Sequence, residues 1–89
     1  MTSLTDADIT QRTRAFIERS FLYGHRGAAL SDHDPLISKG IVDSMGAIEL
    51  ARFLEREFAI TIGDNEITEA NLRSLADIAR FVASKRAPR

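Results

Sequence analysis

One stretch decides the fold of this chain, and residues 43–58 of it read DSMGAIELARFLEREF. Asp43 and Ser44 are good helix-starting residues, because their side-chain oxygens accept hydrogen bonds from the free N–H groups of a first turn. Each residue advances about 100° around a helix, so five apolar side chains fall on one face. These are Ala47, Leu50, Ala51, Leu54 and Phe58. The stretch therefore predicts an amphipathic helix over residues 44–58 whose apolar face meets the core.

The opposite face of this helix is mixed in character. It carries Met45, Glu49, Arg52 and Arg56, with Ile48 and Phe53 at its flanks. A face that meets only solvent is not expected to gather large apolar side chains among its charges. We therefore expect this face, with Ser44 beside it, to contact other molecules.

Two more amphipathic stretches predict long helices on either side. Thr5 predicts the start of the first, and the glycine of Tyr23-Gly24 predicts its end. Ser74 predicts the start of the last helix, whose apolar residues recur at helical spacing, and Thr68 predicts a short helix over residues 69–72. We expect the apolar stripes of the three long helices to be buried together, with Leu54, Phe58, Phe16, Ile78 and Val82 in contact.

The segments between these helices lack a long apolar period. Residues 25–43 form a long loop with apolar anchors that include Leu36 and Val42, and Asp34-Pro35 predicts a single turn within it. Residues 59–62 predict an extended connector that buries Ile60 and Ile62. The fold class is therefore all-α, a small four-helix bundle with three main helices, one short helix and a long first loop.

Length and composition limit what the chain can be. Its 89 residues make one domain, 1–89, with an ordered core over about 5–84 and a basic tail at 85–89. It contains no cysteine, so disulfides and thiolate chemistry are excluded. No apolar run approaches the roughly 20 residues of a membrane span. The first residues have no secretory pattern, and we expect a cytoplasmic protein without membrane insertion.

Charge is distributed unevenly, although the formal net charge is only −1. Residues 41–70 carry a net −5, which suggests basic partners there, and residues 71–89 carry a net +4. The basic end raises the possibility of a nucleic-acid binder, but its bases do not gather on one helix face. A short frayed tail explains them better, and we expect no nucleic-acid partner.

The sequence offers no set of residues for catalysis. It has no glycine-rich phosphate loop, and neither histidine is placed where it would serve Ser44 as a base. His33 stands between Asp32 and Asp34, but three adjacent side chains rarely converge on one ion. We therefore predict no catalytic residue, no metal site and no enzyme activity.

The pattern around Ser44 resembles an acyl carrier protein. The residues that carry the resemblance are Gly40-Ile41-Val42-Asp43-Ser44-Met45-Gly46, Ile48-Glu49-Leu50 and the run from Leu54 to Ile60, within a match over about residues 36–82. The resemblance implies that a phosphopantetheinyl transferase moves a 4′-phosphopantetheine arm from coenzyme A onto Ser44. The arm then holds an acyl or aminoacyl group as a thioester for partner enzymes, and we expect a monomer.

The resemblance also assigns a partner-binding face around the serine. Asp43 would help the transferase to dock, and partners would contact Met45 and Glu49. From their place on the same helix we add Ile48, Arg52, Phe53 and Arg56. Gly46 and Arg56 replace acids that are usual in fatty-acid carriers. The Asp-Ser-Met-Gly run at residues 43–46 is similar to D-alanyl carriers and to free-standing carriers served by AMP-forming ligases. We therefore expect a specialised pathway rather than general fatty-acid synthesis.

One alternative function stays open at this point. The chain would then be a helical interaction module that carries nothing, with Ser44 acting only as a structural helix cap, since such residues are favoured at any helix start.

Overall fold

The computed structural model describes residues 5–21 and 30–86. They form four α-helices and one 3-10 turn, Asp64–Glu66. The helices are α1 (Asp6–Ser20), α2 (Ser44–Phe58), α3 (Glu69–Leu72) and α4 (Leu75–Arg86). These described segments contain no β-strand, so the predicted all-α bundle with three long helices and one short one is confirmed. The predicted helix end at Tyr23-Gly24 lies outside the described residues.

Side-chain caps begin the helices where the sequence predicts them. Thr5 Oγ1 accepts from Asp8 N at 3.1 Å, while the Asp8 carboxylate accepts from Thr5 N at 3.1 Å, which is a capping box at the start of α1. Thr68 Oγ1 accepts from Asn71 N at 3.2 Å and begins α3. Because these bonds involve residues three apart, the local sequence is enough to predict them.

The three long helices enclose one apolar core. Leu54, Phe58, Ile78 and Val82 are buried together as predicted. Phe16 of α1 is only half-buried and packs at the edge of this core. No helix in the described ranges has the length and hydropathy that a membrane crossing requires.

The first loop is packed against the bundle along its described part. Leu30, Leu36 and Val42 are buried, and Leu36 N donates to Arg73 O at 2.7 Å, which ties the loop to the start of α4. Pro35 O accepts from Lys39 N at 2.9 Å, closing the predicted turn. The Ser31 backbone N–H and Lys39 both bind the Asp34 carboxylate and hold its pKa below the ordinary value. The loop therefore holds the entrance of α2 in place.

The ends of α2 and α4 differ from what the local sequence predicts. Ala59 ends α2 in the left-handed conformation, with φ of 55°, although glycine is the usual residue there. The Glu55 carboxylate accepts from Ile62 N at 2.8 Å and turns the extended connector back onto the core, where Ile62 is buried. At the other end, α4 continues to Arg86, two residues past the predicted end of the ordered core. Lys85 and Arg86 of the predicted tail are therefore part of that helix.

Candidate functional site: the first turn of helix α2

Asp43 is the residue that caps α2. Its Oδ1 atom accepts from Gly46 N at 2.7 Å, and its backbone is extended, as an N-cap residue requires. Ser44 follows as the first helical residue and is exposed. Among the described residues its hydroxyl group has no hydrogen-bond partner. The hydroxyl is therefore not used to start the helix and faces solvent.

Gly46 is buried under the end of α1. A Cβ atom built on Gly46 would lie 2.8 Å from Cε1 of Phe21 and 3.2 Å from Oδ1 of Asp43. The sequence analysis interprets Gly46 as a departure from fatty-acid carriers that affects the choice of partner. Close packing against Phe21 explains the glycine directly. Phe21 holds the first turn of α2 at a distance that leaves no room for a side chain.

A row of aromatic rings continues from Phe21 between α1 and α2. Phe21 meets Phe16 edge-on at 5.9 Å between centroids, and Phe16 stacks on Phe53 at 4.2 Å. Phe53 in turn meets Phe58 at 6.3 Å. The prediction that Phe53 lies on the partner-binding flank is therefore wrong, because the ring is only 8% exposed and α1 covers it.

The other predicted partner-binding residues are exposed. Met45 is 72% exposed and Ile48 is 41% exposed, and they are the large apolar side chains that α2 leaves in solvent. Glu49, Arg52 and Arg56 are exposed further along the helix. The first turn therefore joins Asp43, Ser44 and an apolar surface, whereas the charged residues lie toward the C-terminal end.

A cavity of about 460 Å³ opens beside Ser44, between the start of α2 and α3. Its apolar wall includes Ala47 and Ile48 from α2 and Leu72 from α3. Ile37 of the first loop and Ile67 complete that wall, and Asp43, Asp64, Thr68 and Glu69 add polar groups. Sequence reasoning did not find this cavity, because it depends on how α3 packs beside α2.

The side of the cavity formed by α3 is held by one carboxylate. Glu66 pairs with Lys85 of α4 at 2.9 Å and accepts from Gly63 N at 2.9 Å, and both contacts keep its pKa below the ordinary value. Asn71 Nδ2 donates to the Glu66 backbone oxygen at 2.9 Å, which ties the 3-10 turn to α3. These contacts position the cavity wall relative to the bundle.

Among the described residues, no side chain forms a hydrogen bond with the Ser44 hydroxyl. The residues lining the cavity include neither histidine nor lysine. A serine hydroxyl without a neighbouring base is a weak nucleophile. In the described part of the chain, the Ser44 hydroxyl is therefore not activated by a hydrogen-bonded base.

The family comparison agrees with this arrangement. The model of the phosphopantetheine attachment site matches residues 23–82, about two thirds of the chain. The chain belongs to that family. Its members carry 4′-phosphopantetheine covalently on a serine and are carriers, not catalysts. No curated protein matches the chain.

Family membership also gives the general class of partner. A phosphopantetheine carrier interacts with a phosphopantetheinyl transferase and with enzymes that use the attached acyl group. The chain is thus an acyl carrier protein with an all-helical fold, as its pattern around Ser44 predicts.

Proposed function

We propose that this chain holds an acyl or aminoacyl group as a thioester on a 4′-phosphopantetheine arm attached to Ser44. The matched range contains four serines, Ser31, Ser38, Ser44 and Ser74. Of these, Ser44 is the one that begins a long helix, is exposed and also lines the cavity. That combination carries the proposal.

Attachment follows from the hydroxyl group and the external base. The Ser44 oxygen attacks the phosphorus next to the pantetheine unit of coenzyme A, forming a P–O bond. The bond between the two phosphates breaks, and adenosine 3′,5′-bisphosphate leaves. The serine proton passes to a base of the transferase, because no base among the described residues is hydrogen-bonded to this hydroxyl. An exposed hydroxyl without hydrogen bonds can enter the transferase without breaking a helix cap.

The arm then works by tethering. A flexible tether replaces bimolecular encounter with an effective concentration that is often millimolar. The cavity of about 460 Å³ beside Ser44 lies within the usual range for small-molecule sites, about 300–1,000 Å³. It offers an apolar wall against which part of the arm or cargo packs between deliveries.

Partner enzymes would approach the exposed side of α2. Asp43, Met45 and Ile48 surround Ser44, while Glu49, Arg52 and Arg56 extend the same surface. Carriers that dock on basic patches need acidic helices, and arginines here oppose such patches. This supports a specialised pathway with an AMP-forming ligase, and we propose a cytoplasmic monomer in that role. Gly46 does not support the specialised pathway, because its close packing against Phe21 explains the glycine.

The interaction module without a cargo has lost its main support. That alternative needs Ser44 as the helix cap, but Asp43 provides the cap through Gly46 N. The nucleic-acid alternative relied on the basic end, where Lys85 binds Glu66 and Arg86 donates to Phe58 O at 2.9 Å. Both of these bases already have partners within the chain.

Intact mass spectrometry after treatment with coenzyme A and a broad-specificity transferase tests the proposal. The wild-type chain should gain the mass of one arm, and Ser44→Ala should gain nothing. Ser38→Ala is the matched control, because Ser38 is exposed but does not line the cavity, and it should be loaded like the wild type. Loading of Ser44→Ala would disprove attachment at this serine.

A second measurement tests the specialised pathway. Exchanging Arg52 and Arg56 for glutamate should raise the elongation rate with general fatty-acid synthase enzymes several-fold, since one exposed charge pair contributes about 0.2–1 kcal/mol. The gain should shrink at high salt because exposed charges are screened. Equal rates for wild type and double variant would show that these arginines do not select the partner.

A further inference from the structure

A second cavity lies on the other side of α2, where α1 approaches it. It has a volume of about 450 Å³ and is lined by Phe16 and Ser20 of α1 and by Glu49, Arg52 and Arg56 of α2. We call these five residues the arginine cleft. Arg19 stands at its edge, with the guanidinium carbon 5.9 Å from the centroid of the Phe16 ring. The cleft is thus built from two helices.

The floor of the arginine cleft is a packed aromatic ring. The Phe16 ring stacks on Phe53 with an angle of 10° between the planes, and Phe21 packs against its edge. Such aromatic pairs contribute about 0.5–1.5 kcal/mol beyond the area they bury. The cleft therefore presents an apolar floor between its arginines.

The arginines around this floor form no ion pair with an acidic side chain in the part of the chain that the structure describes. All 13 acidic residues lie within the described ranges 5–21 and 30–86. None of them comes within 4.0 Å of Arg19, Arg52 or Arg56 in those ranges. In contrast, Arg12 pairs with Glu57 and Arg80 pairs with Asp77. A guanidinium group presents its donors as a planar fork that matches a carboxylate. The cleft is therefore complementary to an acidic molecule.

We propose that the arginine cleft docks a carboxylate-bearing helical segment of the enzyme that acts on the arm. The inference rests on the proposed function, because it assumes that an enzyme covers Ser44. Such an enzyme, seated on Met45 and Ile48, reaches the cleft by extending along α2. Arg52 and Arg56 are four residues apart, so their side chains are neighbours on the helix and match acids one turn apart on the partner.

Glu49 sets the direction of this contact. It lines the end of the cleft that is nearer to Ser44, where it repels a carboxylate and favours a base on the partner. A partner segment therefore binds in one orientation, with a basic residue facing Glu49 and acidic residues facing Arg52 and Arg56. Helix α1 adds Arg19 and Phe16 to this docking surface. Both residues precede α2 and lie outside the sequence pattern around Ser44.

Nuclear magnetic resonance titration of the apo chain with a defined probe tests the proposal. The probe is a capped, alanine-rich helical peptide with two glutamates four residues apart, and its counterpart has glutamine at both places. We expect the acidic peptide to shift the amide signals of the five cleft residues and the glutamine peptide to leave them in place. Arg19→Glu and Arg52→Glu should each raise the dissociation constant about 3- to 10-fold, since each removes an attraction and adds a repulsion.

Arg73→Glu is the matched control. Arg73 is exposed, lines neither cavity and has no ion pair in the described segments, so its reversal changes net charge equally. It should leave the dissociation constant within about 1.5-fold of wild type. Arg19→Gln serves as the milder variant if Arg19→Glu disturbs the dispersed amide spectrum.

Several results would overturn the docking proposal. One is an unchanged affinity in the Arg19 variants. A second is a set of amide shifts spread equally over the other basic residues. A third is binding of inorganic phosphate or duplex DNA in the cleft that is as tight as binding of the acidic peptide, or tighter. Because the titration uses protein without an arm, failure here leaves the mass test of Ser44 untouched. Failure of the mass test would leave the measured peptide affinity valid. It would remove the basis for an enzyme that acts on the arm as the partner.

Discussion

Two serines stand at the starts of long helices, and the structure treats them in opposite ways. Ser74 is 3% exposed, its Oγ accepts from Asp77 N at 3.2 Å, and it donates to the Asp77 carboxylate at 3.0 Å. Ser44 is exposed, and in the described part of the chain its hydroxyl takes part in no hydrogen bond. Ser74 caps α4 with its own side chain, whereas α2 is capped by Asp43, the residue before Ser44.

The difference shows how a helix start becomes available for chemistry. A hydroxyl that caps a helix is committed to the backbone N–H groups, and removing it from them costs about 0.5–2 kcal/mol. When the preceding residue provides the cap, a reaction at the next hydroxyl breaks no capping hydrogen bond. In the proposed function, the Asp-Ser order at residues 43 and 44 would therefore give the structural task to Asp43 and the chemical one to Ser44.

The largest expected effect is the loss of the core that supports both helix starts. Leu54→Ala should lower the free energy of unfolding by about 2–5 kcal/mol, because Leu54 is fully buried among α2 and its neighbours. Ile48→Ala is the control on the same helix and should cost much less, since Ile48 is partly in solvent. Denaturant unfolding measures both variants. An unchanged midpoint for Leu54→Ala would mean that the wrong face of α2 has been assigned to the core.

A smaller effect is expected where Phe21 packs on the first turn of α2. Gly46→Ala would ordinarily stabilise a helix, but its Cβ atom meets the Phe21 ring, and overpacking of this kind costs about 1–3 kcal/mol. Combining it with Phe21→Leu should recover part of that loss, which a double-mutant cycle measures. If Gly46→Ala raises the stability, the ring does not press on this turn.

The caps themselves should show the smallest effects and the clearest contrast. Ser74→Ala and Asp43→Ala should each reduce the free energy of unfolding by about 0.5–2 kcal/mol. Ser44→Ala should change it by less than about 0.5 kcal/mol, as for a surface position outside any such feature. Thermal unfolding of the three variants decides this order. A loss for Ser44→Ala as large as that for Asp43→Ala would make Ser44 a structural cap after all.

The parts that sequence predicts well depend on neighbours along the chain. The bounds of α2 follow from the Asp43 cap and from the apolar period, and both operate within a few residues. The exposure of Met45 and Ile48 follows from the same period.

The parts that sequence misses depend on distant contacts. Phe53 is buried because Phe16 of another helix stacks on it, and helical period alone leaves it at a flank. Gly46 is explained by Phe21, and the cavity beside Ser44 by the position of α3, which Glu66 and Lys85 hold. No local pattern contains these pairings.

The most direct test of the account is to locate the arm on the wild-type chain. Fragmentation mass spectrometry of the protein, after loading by the transferase, assigns the added mass to one residue. We expect all of it on Ser44 and none on Ser31, Ser38 or Ser74, the other serines of the matched range. An arm on Ser74 or on any other serine would contradict the claim that the hydroxyl released from capping is the one that carries the cargo.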